Sequence, residues 1–282
     1  MKTHSAFALL AALPLLLAGN NASATTTSFN TGSLGAAANG TNADPVTLVP
    51  GAVAAGGDLA ANYNGVGGTN TNIPFQSGLN PSSGSAFSIE FWANPTTTDN
   101  DDSPVSNRVA SSSPRSGWVF FQRAAGWNFR MYSGTSSNVG WDLTGGTSTL
   151  GAWSHVVATW DGSAAQLFVN GALVDNVNDA TGGGPIGTYT ASLTATFFVG
   201  STDTGSPYNG AVDEVAFYGS SLTAAQIATH FATATGGAAG AYHSTVLADG
   251  ARLQLTNNAV PEPSSLAFLG LTGLALMRRR GR

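Results

Sequence analysis

Apolar and polar residues alternate along most of this chain in short runs, and the dominant period is two. Residues 86–94 (AFSIEFWAN) set Phe87, Ile89 and Phe91 against Ser88, Glu90 and Trp92, the pattern of a β-strand with two distinct faces. The same alternation predicts strands over 118–123 (WVFFQR) and 127–132 (WNFRMY), joined as a hairpin, and a shorter strand over 139–143. Further strands are expected over 153–160 (WSHVVATW) and 165–169 (AQLFV), with Asp161-Gly162 between them. Asn170-Gly171 then turns the chain into 172–174; Asn-Gly between apolar runs marks a tight hairpin because both turn positions need φ > 0. Strands over 195–199 and 211–218 complete the series, and 25–85 reads as short strands and turns.

Helical patterning is specified at one place. Thr223 and Gln226 form a T-x-x-Q capping box, and Leu222 and Ile227 occupy the positions of a hydrophobic staple. A helix is predicted from Ala224 to about Phe231. Residues 236–258 read as a linker with one possible extra strand over 245–255 (TVLADGARLQL), an edge strand or the vestige of a second repeat. The fold class is therefore all-β, with one short helix after the last strong strand of the body.

The two ends break this pattern. Residues 1–24 carry Lys2 and His4, an apolar stretch from Ala6 to Ala18, and Ala22-Ser23-Ala24 as a small-x-small cleavage site. That is the plan of a secretory signal peptide, removed by signal peptidase. At the other end Pro261-Glu262-Pro263 opens a 14-residue apolar run, Ser264 to Met277, stopped by Arg278, Arg279, Arg280 and Arg282. As a helix this run covers about 21 Å, short for a bilayer core of about 30 Å. The basic stop keeps the arginines cytoplasmic and the body outside. This order resembles the PEP-CTERM sorting signal, which implies cleavage by an exosortase-type enzyme after transient inner-membrane contact and delivery to the cell surface or matrix. An uncleaved inner-membrane anchor is the other reading.

Composition narrows the chemistry. The chain has no cysteine, which removes disulfides and thiolate chemistry. Lysine occurs once, at Lys2; between Thr25 and Val260 five arginines stand against 14 acidic residues, a net charge of −9. Such a body has no electrostatic footprint for nucleic acid.

Three blocks, AFSIEFWANP, WSHVVATWDGSAAQLFVNGALV and NGAVDEVAFYGSSLTAAQI, stand in the order and spacing of laminin-G-like (concanavalin A-like) jellyroll domains, which this chain resembles from about Asn62 to Phe231. The resemblance implies a two-sheet antiparallel jellyroll sandwich over 25–235, with one short helix after its closing strand, and a structural calcium tying the N-terminal strand to the closing strand. Asp213, with Asn64 or Asp58, would supply it, although Asn64 replaces the family's aspartate. Related hydrolases need carboxylates about 5 Å apart; here Glu90, Glu214 and Glu262 are scattered, and adjacent Asp213 and Glu214 should point to opposite strand faces. No catalytic apparatus is expected. His155 is expected to be a packed strand histidine, and His230 a polar helix position.

The expected function is non-catalytic binding, with a polysaccharide or surface glycan as partner. Aromatic platforms and polar neighbours for it are Trp127, Arg130, Tyr132, Trp141, Tyr208 and Asn209. The long polar segment 95–117 is a candidate binding loop. A structural or adhesive matrix protein without a small-molecule site is the alternative, and a glycoside hydrolase the remote one.

Overall fold

In the computed structural model the residues described are 27–257, except 44, 54–56, 99–100, 136–138, 181–186 and 238. The leader with Ala22 and Ala24, and the tail with Pro261, Glu262, Pro263, Arg278, Arg279 and Arg280, lie outside them.

The period-two runs become strands β1 (Thr27–Asn30), β2 (Gly40–Asn42), β3 (Thr47–Pro50), β4 (Leu59–Asn64), β5 (Thr71–Ile73), β6 (Phe87–Pro95), β7 (Val105–Val109), β8 (Ser116–Arg123), β9 (Gly126–Tyr132), β10 (Val139–Gly145), β11 (Ser154–Trp160), β12 (Ala165–Val169), β13 (Ala172–Asp175), β14 (Phe197–Val199), β15 (Asn209–Tyr218) and β16 (Ala251–Thr256). One layer runs β10-β9-β8-β7-β14-β5-β2-β1, and the other runs β13-β12-β11-β6-β15. The far edge of β15 is shared by β4 and β16, with β3 outside β4. Every ladder is antiparallel, and pairing of β1 with β16 joins the two layers along one edge.

Alternation decides what each strand buries. Phe87, Ile89 and Phe91 of β6, Trp118 and Phe120 of β8, and Trp127, Phe129 and Met131 of β9 point between the layers with Phe217 of β15. Such close packing of buried aromatics is the main stabilising contribution, about 1.5–3 kcal/mol per fully buried large apolar side chain. Asn170 (φ 52°) and Gly171 (φ 78°) both take positive φ, as the hairpin between β12 and β13 requires.

Three sequence expectations change. The segment 95–117 is not a continuous loop, since β7 lies within it and pairs with both β8 and β14. The capped helix α1 (Ala224–Gly236) is longer than expected, and both bonds of its capping box form. The supposed linker is a second helix, α2 (Ala239–Ala248), followed by β16. Residues 245–248 are therefore helical, and β16 is an interior strand between β15 and β1. The reason is the outer face of the second layer: Trp92, Val157, Phe168 and Tyr218 are apolar there, and α1 and α2 cover them with Ile227, Ala234, Tyr242 and Val246. Tyr242 and Val246 are four apart, so they share one helix face.

Candidate functional site

The helices cover the outer side of one layer; on the outer side of the other, β7–β10 present a polar lattice built on two aromatics. Phe121 on β8 and Tyr132 on β9 sit at its centre. Guanidinium carbons of Arg108, Arg123 and Arg130 lie 5.4, 5.4 and 5.9 Å from the Phe121 ring centroid, and those of Arg108 and Arg115 each lie 5.8 Å from that of Tyr132, within cation–π range. Four of the body's five arginines thus share one face; the fifth, Arg252, donates to the Gly78 carbonyl. Three are also paired with acids: Arg108 with Asp203 (3.2 Å), Arg123 with Asp101 and Arg130 with Asp142 (2.6 Å). Arg108 further donates to the Tyr132 hydroxyl (2.8 Å).

Strand register sorts the predicted binding residues. Arg130 and Tyr132 are on this face. Trp127 and Trp141 point the other way, into the core, with Trp141 edge-on to Trp160 at 5.6 Å. Tyr208 is fully buried. These three rings cannot present a face to a sugar. Asn209 lies at the end of β15, accepting from Thr96 Oγ1. Period-two parity already separates Trp127 from Arg130, because residues three apart on a strand face opposite sides. The same parity, with the β8–β9 register, links Phe121, Arg123, Asn128, Arg130 and Tyr132, and this is the signal that sequence reasoning passed over.

A second cluster lies where β15 meets β4 and α2. Opposite Trp92 and Glu90 of β6, β15 carries one extra residue, so the register shifts between Asp213 and Ala216. Glu214 takes a φ of 50°, a conformation uncommon outside glycine. This bulge defeats strict alternation: Asp213 and Glu214 do not part to opposite faces, and both are buried beside Asp58. Asp213 Oδ2 accepts from the Ala52 amide (2.8 Å) and Asp58 Oδ2 from that of Val53 (3.2 Å). His243, on α2, donates from Nε2 to Glu214 Oε1 at 2.5 Å. Burial, then the neighbouring Glu214 and Asp58, pushes the Asp213 carboxyl well above the usual range. Burial also raises Glu214, against the opposing pull of His243. His243 is raised, chiefly by its bond to Glu214.

Of the residues expected to hold calcium, Asp58 and Asp213 meet here; Asn64 does not, pairing with Asn209 at the other end of β4 and capping the Val66 amide. Glu214 and His243 take its place. Two buried oxygens of the cluster, Asp58 Oδ1 and Glu214 Oε2, accept no hydrogen bond, so the donor set fits a cation. An imidazole nitrogen, however, is foreign to the all-oxygen sphere of calcium.

A third polar group is sealed beneath the helices. Glu90 Oε1 accepts from His155 Nε2 (2.9 Å) and the Tyr242 hydroxyl (2.7 Å). Its Oε2 accepts from His230 Nδ1 (2.7 Å) and the Tyr218 hydroxyl (2.8 Å), while His230 Nε2 reaches Asp249 at 2.8 Å. Burial alone would raise the Glu90 carboxyl, but the hydrogen bonds and charge of both histidines outweigh it and hold it well below the carboxylate range. Burial likewise lowers His230, and its two carboxylate partners more than reverse this. His155 is packed and hydrogen-bonded, as expected of a strand histidine. His230 is fully buried rather than a solvated helix position, because α1 turns that face onto β6.

Comparison with known proteins follows this geometry. Residues 259–282 match the PEP-CTERM protein-sorting motif, so the chain is exported and sorted to the surface. Among the described residues no helix is long and apolar enough to cross a membrane. No curated protein matches the chain. Among solved structures, the binding domain of Paraclostridial Mosquitocidal Protein 1 is similar at 15% identity and a TM-score of 0.53, covering 74% of this chain and 52% of that one. The botulinum neurotoxin serotype G binding domain is similar at 14% identity and a TM-score of 0.51, covering 73% and 50%. The chain spans about half the length of either, and the likeness is one of fold. The family model of the concanavalin A-like lectin/glucanases matches residues 67–228, more than half of the 282; the chain belongs to the concanavalin A-like lectin/glucanase superfamily.

Proposed function

We propose that this protein is a surface-displayed, non-catalytic binding module for a glycan, and that it binds through the outer face of β7–β10. The observation that carries this reading is the segregation of guanidiniums. In a body with a net charge of −9 and no lysine, four arginines are gathered on the one layer face that the helices leave open. Arginine forks fixed over aromatic rings and paired with carboxylates offer planar donors and acceptors together, which suits vicinal hydroxyls and carboxylates of a polysaccharide. Arg123 and Arg130 keep 25% and 21% of their side-chain surface exposed, enough to meet a ligand without refolding.

A glycan array probed with the full exported chain tests this, followed by Arg130→Ala and Arg115→Ala on any positive glycan. Each substitution is expected to weaken binding at least about tenfold. Unchanged binding by both variants refutes the face. The alternative, a structural matrix protein with no small-molecule site, draws support from the same lattice: Asp203, Asp101 and Asp142 already engage three of the four guanidiniums. Failure to bind any glycan, the host's own exopolysaccharide included, selects that alternative.

A further inference from the structure

The cluster beneath α2 has a donor set of its own. One donor atom each of Asp58, Glu214 and His243 lies within 4.8 Å of the others. Asp58 and Glu214 are 6% and 2% exposed, and each keeps one buried oxygen that accepts no hydrogen bond. Among the described ion pairs, neither arginine nor lysine reaches the cluster; His243 alone does. Three buried carboxylates, counting Asp213, therefore face one imidazole, with the Gln254 side chain also beside Glu214. A group of this kind, away from water, is either neutralised by retained protons or balanced by a cation. Carboxylate oxygens combined with an imidazole nitrogen are the ligands of borderline divalent cations, with zinc foremost, whereas calcium takes oxygens.

The space agrees. A Cβ on Gly51 would fall 2.1 Å from Asp58 Oδ2 and 2.6 Å from Asp213 Oδ2, so only glycine lets these carboxylates converge. Zinc–ligand bonds of about 2.0–2.2 Å in a tetrahedron place neighbouring donors about 3.4 Å apart. The Glu214–His243 contact, 2.5 Å as a hydrogen bond, has to open by about 1 Å to admit the ion. His243, with 27% of its side chain exposed, has both the freedom to move and a route to solvent.

We propose that Asp58, Glu214 and His243, with Asp213 beside them, bind a zinc-class divalent cation that clamps α2 and the segment before β4 onto β15. Asp213 and Glu214 lie within residues 67–228 and Asp58 and His243 outside them, so the clamp ties the matched region to the segments on either side of it. It is independent of the glycan-binding face.

The test uses the untagged full chain in detergent, stripped with a chelator and titrated in parallel with Zn²⁺, Co²⁺ and Ca²⁺. Saturating zinc is expected to raise the melting midpoint by about 5–10 °C, and calcium at the same concentration by less than half of that. Cobalt is expected to give the intense visible bands of a four-coordinate site, and His243→Ala to weaken zinc binding at least about tenfold. An equal rise with calcium, or a zinc response that His243→Ala leaves intact, overturns the proposal. So does the absence of any metal-dependent shift. Should His243→Ala not fold, the cobalt spectrum of the unmodified chain decides alone: only the weak bands of an all-oxygen octahedral site refute nitrogen ligation.

Discussion

Replacing Glu90 by glutamine changes one atom and should loosen the helical cap of the whole sandwich. Glu90 is fully buried and accepts four hydrogen bonds, two at each oxygen. Glutamine keeps one acceptor oxygen and turns an amide donor toward the other two donors. Two bonds to a charged acceptor are lost, each worth about 1.5–3 kcal/mol, and His230 loses part of the negative charge that balances it. Breaking a buried charge pair from one side typically costs about 3–5 kcal/mol. For a domain of this size each kcal/mol lowers the midpoint by about 2–4 °C, so the expected fall is about 6–20 °C. Calorimetry measures the total. Hydrogen exchange localises it, with amides of α2 losing protection first, because Tyr242 joins that helix to Glu90. A midpoint within about 2 °C of the parent, or exchange unchanged in α2, refutes the view that this network holds the cap.

Further outcomes follow from the same contacts. Glu90 is held below its ordinary 4.5, so its contribution is full above that pH and fades as pH falls through its lower folded value. His230 is held above its ordinary 6.5, so its contribution is full below that pH and fades as pH rises through its higher folded value. The network is therefore expected to stabilise most between about pH 4.5 and 6.5, and the pH dependence of melting should flatten on the alkaline side in His230→Gln; an unaltered profile contradicts the assignment. Thr223→Ala removes the side-chain bond to the Gln226 amide at the start of α1 and should cost about 1 kcal/mol by denaturant titration; a change under a few tenths would mean that packing alone fixes that helix end.

Much of the fold was legible because it rests on local rules. Alternation located β6, β8, β9, β11, β12 and β15 to within a few residues, Asn170-Gly171 announced its own turn, and Thr223 with Gln226 announced the start of α1. What escaped had weak local signals. β7 reads as polar (VSNRV) because its outer side carries Arg108 and the loop carboxylate of Asp203 rather than apolar groups. The second helix reads as small and polar residues around Tyr242 and Val246, and only the apolar outer face of the sheet beneath it makes that pair sufficient.

By itself, the sequence determined an all-β chain, an acidic lysine-free body and a C-terminal sorting motif, since periodicity, composition and short motifs are properties of neighbouring residues. Tertiary structure decided where the chemistry lies. Arg108, Arg115, Arg123 and Arg130 become one face only after the register of β7 to β9 is set. Asp58, Asp213, Glu214 and His243, up to 185 residues apart in the chain, converge only because a bulge in β15 turns Glu214 out of strict alternation and α2 folds back to meet it. The physical reason is that side-chain direction beyond a single strand depends on pairing, bulges and docking, which are long-range consequences of burial.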